Sequence, residues 1–225
     1  MDFAGPAVWV MMLLLAIGLS IKAGTISFDV TMDPQALADL AKGQTGFAVT
    51  PGSMAAILAV AATWVTYFAA LYLNFCDFSR FSPDEKSLRK GNIWGLPVNL
   101  ILFSLVAALT TASAYKVYGE VLLEPGAIAA KFDSVFLALL AMLTFAVATL
   151  GINVVANFVS PAYDFSNVSP KKVDFKKGGY IAAGIALLLY PLHPWDNAPS
   201  FVNAIGSTMG PLFGIIMVDY YMLRK

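Results

Sequence analysis

Two asparagines four positions apart, Asn153 and Asn157, are the residues here best suited to binding chemistry. They lie in the stretch ATLGINVVANFVSP from Ala148 to Pro161. On a helix, residues at i and i+4 share one face, and Gly151 beside them allows close approach of a neighbouring backbone. A carboxamide carries both a donor and an acceptor side, which suits a flat heterocycle that presents an N–H beside a C=O. The same two side chains also suit a hydrogen bond between helices that holds a bundle together. Spacing alone leaves both readings open.

Aromatic faces come next. The stretch WVTYFAALYLNFCDFSRF, residues 64–81, holds Trp64, Tyr67, Phe68, Tyr72, Phe75, Phe78 and Phe81. A ring stacked on a planar base contributes about 1–3 kcal/mol, although aromatics in membrane helices serve equally as packing or as an interfacial belt. Asp77 and Arg80 stand at i,i+3 and read as an ion pair or a solvated helix end. A third group, Gly206, Gly210, Pro211 and Gly214 with Asn203, Ser207 and Thr208, lies in one apolar run. Proline removes a helix hydrogen bond and permits a kink, as broken helices do at transporter gates; close packing through small residues accounts for the glycines too.

Other chemistry is excluded by count. Cys76 is the single cysteine and His193 the single histidine, so an intrachain disulfide, a cysteine metal cluster and most triad chemistry are ruled out. His193 reads as structural, in a short loop with Pro191, Pro194 and Trp195. No nucleophile elbow, paired-carboxylate site or zinc helix is present. The chain therefore reads as no enzyme, with no metal site and no cofactor.

The elements that must position these residues are membrane helices. The chain is 59% hydrophobic and 12% charged, about half the charge of a soluble domain. Net charge is zero, which gives no reason to expect nucleic acid as a partner. Six spans are expected, at about 3–21, 54–75, 94–115, 135–158, 178–192 and 201–218. The first, Phe3–Ile21, has 19 residues without a charge, roughly 28 Å of helix against a ~30 Å hydrocarbon core. The runs are long and lack period-two alternation, so helices are preferred to strands. Six spans sort the 14 basic residues into two groups: ten in connections on the side of the chain ends, and Lys22, Lys42, Lys116 and Lys131 opposite. The positive-inside rule then places both ends in the cytoplasm. No acid or base falls deep in a span, which argues against a buried charge relay. In the longest outer connection, Asp33–Lys42 reads first as a surface loop element, with a short amphipathic helix, Asp33 capping and Pro34 in its first turn, as the alternative. The whole of 1–225 reads as one all-α membrane domain in the lipid bilayer of the cell (plasma or inner) membrane.

Four motifs, LNFCDFSRF (Leu73–Phe81), GNIWGLPVN (Gly91–Asn99), ANFVSPAYDFSN (Ala156–Asn167) and GPLFGIIMVDYYMLRK (Gly210–Lys225), resemble nucleobase:cation symporter-1 transporters. That family takes up uracil, cytosine, allantoin, hydantoins and related compounds. The resemblance implies a leucine-transporter-like fold of about twelve helices with inverted repeats, of which this chain is similar to helices five to ten. The chain is accordingly expected to be part of a longer transporter, its exposed faces covered by further helices or another chain.

The resemblance also assigns roles. Asn157 is the asparagine of the ANxxxPA pattern that grips the ligand's amide edge, with Asn153 one turn earlier. Tyr67, next to Phe68, is the stacking aromatic. Val202, beside Phe201, is the outer gate at the start of the last span, and Gly210 and Pro211 lie in that gating helix. Sodium-coupled relatives place hydroxyl side chains just before the ligand asparagine, where Gly151 and Ile152 stand here; a weak cation contact from the Ala148 carbonyl is what is left. The coupling ion is thus proton or sodium, with proton the better match. The expected activity is symport of a nucleobase or cyclic ureide; the alternative is a non-transporting, receptor-like relic of the same family.

Overall fold

The computed structural model describes residues 4–224; Asp2 and Phe3, at the expected start of the first span, and Lys225 lie outside them, as does the Trp195 side chain. The described residues form helices and no strand. In order these are α1 (Ala4–Ala23), α2 (Pro34–Thr45), α3 (Met54–Leu73), α4 (Phe75–Ser79), α5 (Glu85–Tyr118), α6 (Pro125–Ala129), α7 (Val135–Val168), α8 (Phe175–Leu189) and α9 (Ala198–Leu223).

Five of them, α1, α3, α5, α7 and α9, are long and apolar enough to cross a membrane. At 34 residues each, α5 and α7 are roughly 51 Å long and exceed a ~30 Å core. With 15 residues, α8 is roughly 22 Å long. A 3₁₀ turn at Tyr190–Leu192 follows it, where Pro191 lacks an N–H, and adds about 6 Å. Most large apolar side chains on these helices are exposed, Leu188 at 79% and Leu187 at 74%. Whole helix faces of this kind exceed the patches a water-soluble monomer leaves open.

Helix starts follow local chemistry. Asp33, Asp84, Ser134 and Asp174 cap α2, α5, α7 and α8 by accepting from backbone N–H groups of the first turn. For α2 the helical alternative is the one observed, cap included: Asp33 Oδ2 accepts from Gln35 N at 3.0 Å and Ala36 N at 3.2 Å, with Pro34 as the first helical residue. Asp33→Ala should therefore cost about 1 kcal/mol, seen as faster amide exchange across 35–45 with the long helices unaffected. The backbone N–H of Ser87 holds the Asp84 carboxyl below the ordinary carboxylate range. That support for α5 is complete above the ordinary carboxylate pKa and fades as pH falls through the lowered one.

The chain divides into two compact units, residues 1–31 with 82–161 and residues 32–81 with 162–225. In the first unit α1 packs along α5 and α7. Its core is Met12, Leu15 and Leu19 of α1, Ala114 of α5 and Ile128 of α6. Ser20 and Ser113, both buried, share a hydrogen bond of 3.0 Å between α1 and α5, and Trp9 Nε1 donates to Asn99 Oδ1 at 2.9 Å. In the second unit α3 and α9 are the main packed pair, with α2 against both.

Candidate functional site

In the first unit the asparagine pair sits on a widened stretch of α7. Residues Asn153–Val159 are π-helical between flanking α-helix. Pro161 supplies a physical cause: it cannot donate to the Asn157 carbonyl four residues earlier, and its ring crowds that carbonyl. π-turns of this kind are frequent at functional sites, and this one was not read from the sequence, although Pro161 is its local signal. A second such stretch, Trp94–Val98 in α5, contains Pro97.

Both asparagines are exposed, and their hydrogen bonds run along their own helix. Asn153 Nδ2 donates to the Thr149 carbonyl at 2.8 Å, and Asn157 Nδ2 donates to Asn153 Oδ1 at 2.6 Å. The Asn157 oxygen accepts no bond among the described residues. The sequence spacing thus brings the two carboxamides into contact, aligned one behind the other, with one acceptor edge open. Ala148, one turn earlier, is buried at 7% exposure.

In the second unit the aromatics of α3 form a cluster. Trp64 and Phe68 stack with centroids 5.8 Å apart, and Tyr67 meets Phe68 edge-on at 5.2 Å. Tyr67 is exposed and, with Trp64, Thr63, Thr45 and Gln44, lines a hollow of about 390 Å³ between α2 and α3. Phe68 is half-buried behind it.

The gating residues sit on α9 of the same unit. Phe201 is exposed and Val202 half-buried. Next to them, Asn203 does what sequence reasoning missed. Its Nδ2 donates to the Thr45 carbonyl at the end of α2 at 2.9 Å, and its Oδ1 accepts from Thr66 Oγ1 of α3 at 2.7 Å. One carboxamide therefore ties three helices together. Gly46 ends α2 at φ 74°, a left-handed value that favours glycine, and would place a Cβ 3.1 Å from Ser200 Oγ. One turn along α9, Gly206 lies directly on Thr66, where a Cβ would come within 2.3 Å of the threonine Cβ. Tyr72 Oη donates to the Met209 carbonyl. Gly210 and Gly214 have open space instead, so of the glycines on α9 only Gly206 is explained by close packing. Pro211 lies inside α9, and Ser207 Oγ donates to the Asn203 carbonyl at 2.6 Å, a back-bond that favours bending.

At the far end of α3, Asp77 is buried at 6% exposure and pairs with Arg80 at 3.7 Å, at the i,i+3 spacing. The Arg80 guanidinium also lies 3.8 Å from the Tyr163 ring centroid, a cation–π contact that no local pattern signals. His193 takes a left-handed turn conformation, φ 45°, its Nδ1 3.9 Å from Asp196. No group of three metal-ligating side chains occurs among the described residues.

Long apolar helices with exposed greasy faces, interrupted by a wide turn that carries paired carboxamides, define a polytopic α-helical membrane protein. Comparison with known proteins supplies its family. The chain belongs to the permeases for cytosine/purines, uracil, thiamine and allantoin, whose family model matches residues 7–225. That is a family of permeases and not of enzymes. Over 161 residues the chain is 38% identical to the allantoin permease of Bacillus subtilis, covering 70% of this chain and 33% of that protein. It is 34% identical over 165 residues to a purine-uracil permease of Arabidopsis thaliana, covering 72% and 27%. To the uracil permease of Saccharomyces cerevisiae it is 29% identical over 171 residues, covering 70% and 26%. Its matched part thus spans a third or less of the length of these relatives. No solved structure matches the chain.

Proposed function

We propose that this chain works within a secondary active transporter that carries a nucleobase or cyclic ureide, such as uracil, cytosine, allantoin or hydantoin, into the cell with a proton. The observation that carries this reading is the Asn153–Asn157 ladder, whose bonds run within its own helix and leave an acceptor edge open. Such an edge complements the N–H of a planar imide or amide ring. Tyr67 supplies a stacking face and Asn153 holds Asn157 in orientation. α9 gates the site through Val202 and Phe201, with bending at Gly210 and Pro211. Relatives named for allantoin, uracil and purine uptake support the substrate class.

Related sodium-coupled transporters carry hydroxyl side chains where Gly151 and Ile152 stand here, and a sodium ion wants several oxygens; on that resemblance the proton is taken as the coupling ion. The ten-to-four division of basic residues supports six spans in one membrane domain with both chain ends cytoplasmic. Helices beyond this chain, or another chain, complete the substrate pocket.

The test is uptake by the whole protein in a host without nucleobase uptake of its own, using radiolabelled uracil, cytosine, allantoin and hydantoin. We expect saturable accumulation of at least one compound, abolished by a protonophore and unchanged when sodium is replaced by choline. Protein present in the membrane with none of the four accumulated would refute the transport reading.

A further inference from the structure

Away from the asparagine pair, the first unit holds a groove of about 460 Å³ between α1, the end of α5 and the start of α7. Along α1 it is lined by Met11, Leu14, Leu15, Gly18 and Leu19, positions that recur at three and four and so share one face. Leu137 and Leu140 of α7 form the opposite wall. Polar groups gather at one end: Lys22, Tyr118, Asp133 and Ser134. From Lys22 to Met11 the helix rises roughly 16 Å, about half of a ~30 Å hydrocarbon core. The slot is therefore apolar for the depth of one leaflet and polar where headgroups lie.

The chemistry of the mouth selects the head. Lys22 Nζ and Asp133 Oδ2 stand 3.4 Å apart with side chains 51% and 95% exposed. An ammonium has three donors and a carboxylate about four acceptor sites, so both keep capacity for a ligand. Lys131 and Glu120, both near this end, form a second pair at 3.0 Å. Two positive and two negative charges leave no net field for an anionic headgroup, which basic clusters attract. They complement a head that itself carries one phosphate and one primary ammonium.

We propose that this groove binds one amine-headed glycerophospholipid, its acyl chain along α1, its phosphate accepting from Lys22 and its ammonium donating to Asp133. A choline head would bring the positive charge but no N–H for the carboxylate. Gly18 sits halfway down the slot, where an added Cβ meets no heavy atom within 4 Å. A larger side chain there fills the space of the acyl chain without disturbing the packing of α1.

The experiment is native mass spectrometry of the full chain after incubation with an equimolar mixture of chain-matched phosphatidylethanolamine, phosphatidylcholine and phosphatidylglycerol. We expect one phosphatidylethanolamine per chain to survive delipidation, retained about tenfold over phosphatidylglycerol. Gly18→Leu should abolish that adduct, and Lys22→Ala and Asp133→Ala should each lower it several-fold. The exchange Lys22→Asp with Asp133→Lys should restore it, which separates recognition of the head from a loss of folding. Equal retention of the three lipids would mean annular lipid alone and overturn the proposal. So would an unchanged adduct in Gly18→Leu, or a lipid-free dimer showing that a second copy fills the groove.

Discussion

Asn157→Ala should raise the half-saturating nucleobase concentration for uptake by the whole protein about 30- to 150-fold, with membrane abundance unchanged. Abundance should hold because the side chain is exposed and, among the described residues, its hydrogen bond goes to Asn153 on the same helix. In the proposed site two hydrogen bonds join the carboxamide to the amide edge of the ligand, and the effect follows from their loss. At about 1–1.5 kcal/mol each they amount to 2–3 kcal/mol, and 1.4 kcal/mol is a factor of ten. Asn157→Asp should fare no better, since an ionised carboxylate accepts but cannot donate. Asn153→Ala should cost less, about five- to tenfold, because it removes only the group that orients its neighbour. Radiolabelled uptake as a function of substrate concentration measures all three, and wild-type kinetics in Asn157→Ala would remove this residue from the site.

Gly206→Ala should lower the melting temperature of the detergent-solubilised chain by on the order of 6–12 °C. A Cβ at this position would lie 2.3 Å from Thr66 Cβ, 2.7 Å from its Cα and 2.8 Å from its carbonyl oxygen. Backbone atoms cannot swing aside, so α3 and α9 must part by roughly 1 Å to regain ordinary contact at 3.5 Å or more. Overpacking of this kind costs about 1–3 kcal/mol. The same separation stretches the Thr66–Asn203 bond, so the upper end is expected, and 1 kcal/mol corresponds to about 2–4 °C at this size. Gly210→Ala and Gly214→Ala serve as controls. Each has open space around it, and alanine is the better helix former, so neither should lower the melting temperature. Equal losses at the three positions would show that the seam does not run through Gly206.

What the sequence disclosed and what it withheld follow from the range of each interaction. The long helices were legible because charge-free runs of bilayer length have one stable solution in lipid. The Asp33 cap and the Asp77–Arg80 pair were legible because both partners lie within a few residues. The Asn153–Asn157 contact was legible for the same reason, though the wide turn beneath it was not, since a proline four residues on kinks some helices, breaks others and widens others. The Asn203 tie was out of reach: its partners Thr66 and Thr45 lie 137 and 158 positions away, and nothing local marks a carboxamide for a distant carbonyl. Tyr163 beneath Arg80 was hidden in the same way. Gly206 was one of three glycines on its helix, and only its neighbour across the seam distinguishes it.

The π-helical stretch at Asn153–Val159 has a rotational corollary. A bulge of this type holds a residue that an ordinary α-helix would not need, in effect slack wound into the coil. Since each residue of an α-helix turns the chain by about 100°, taking up that slack would rotate everything beyond it through the same angle, with a shift along the axis of only about 1.5 Å. Asn153 and Asn157 share a face in an ordinary α-helix as well, so the ladder would survive while the residues past Val159 turned to a new bearing, without either end of the helix leaving its leaflet.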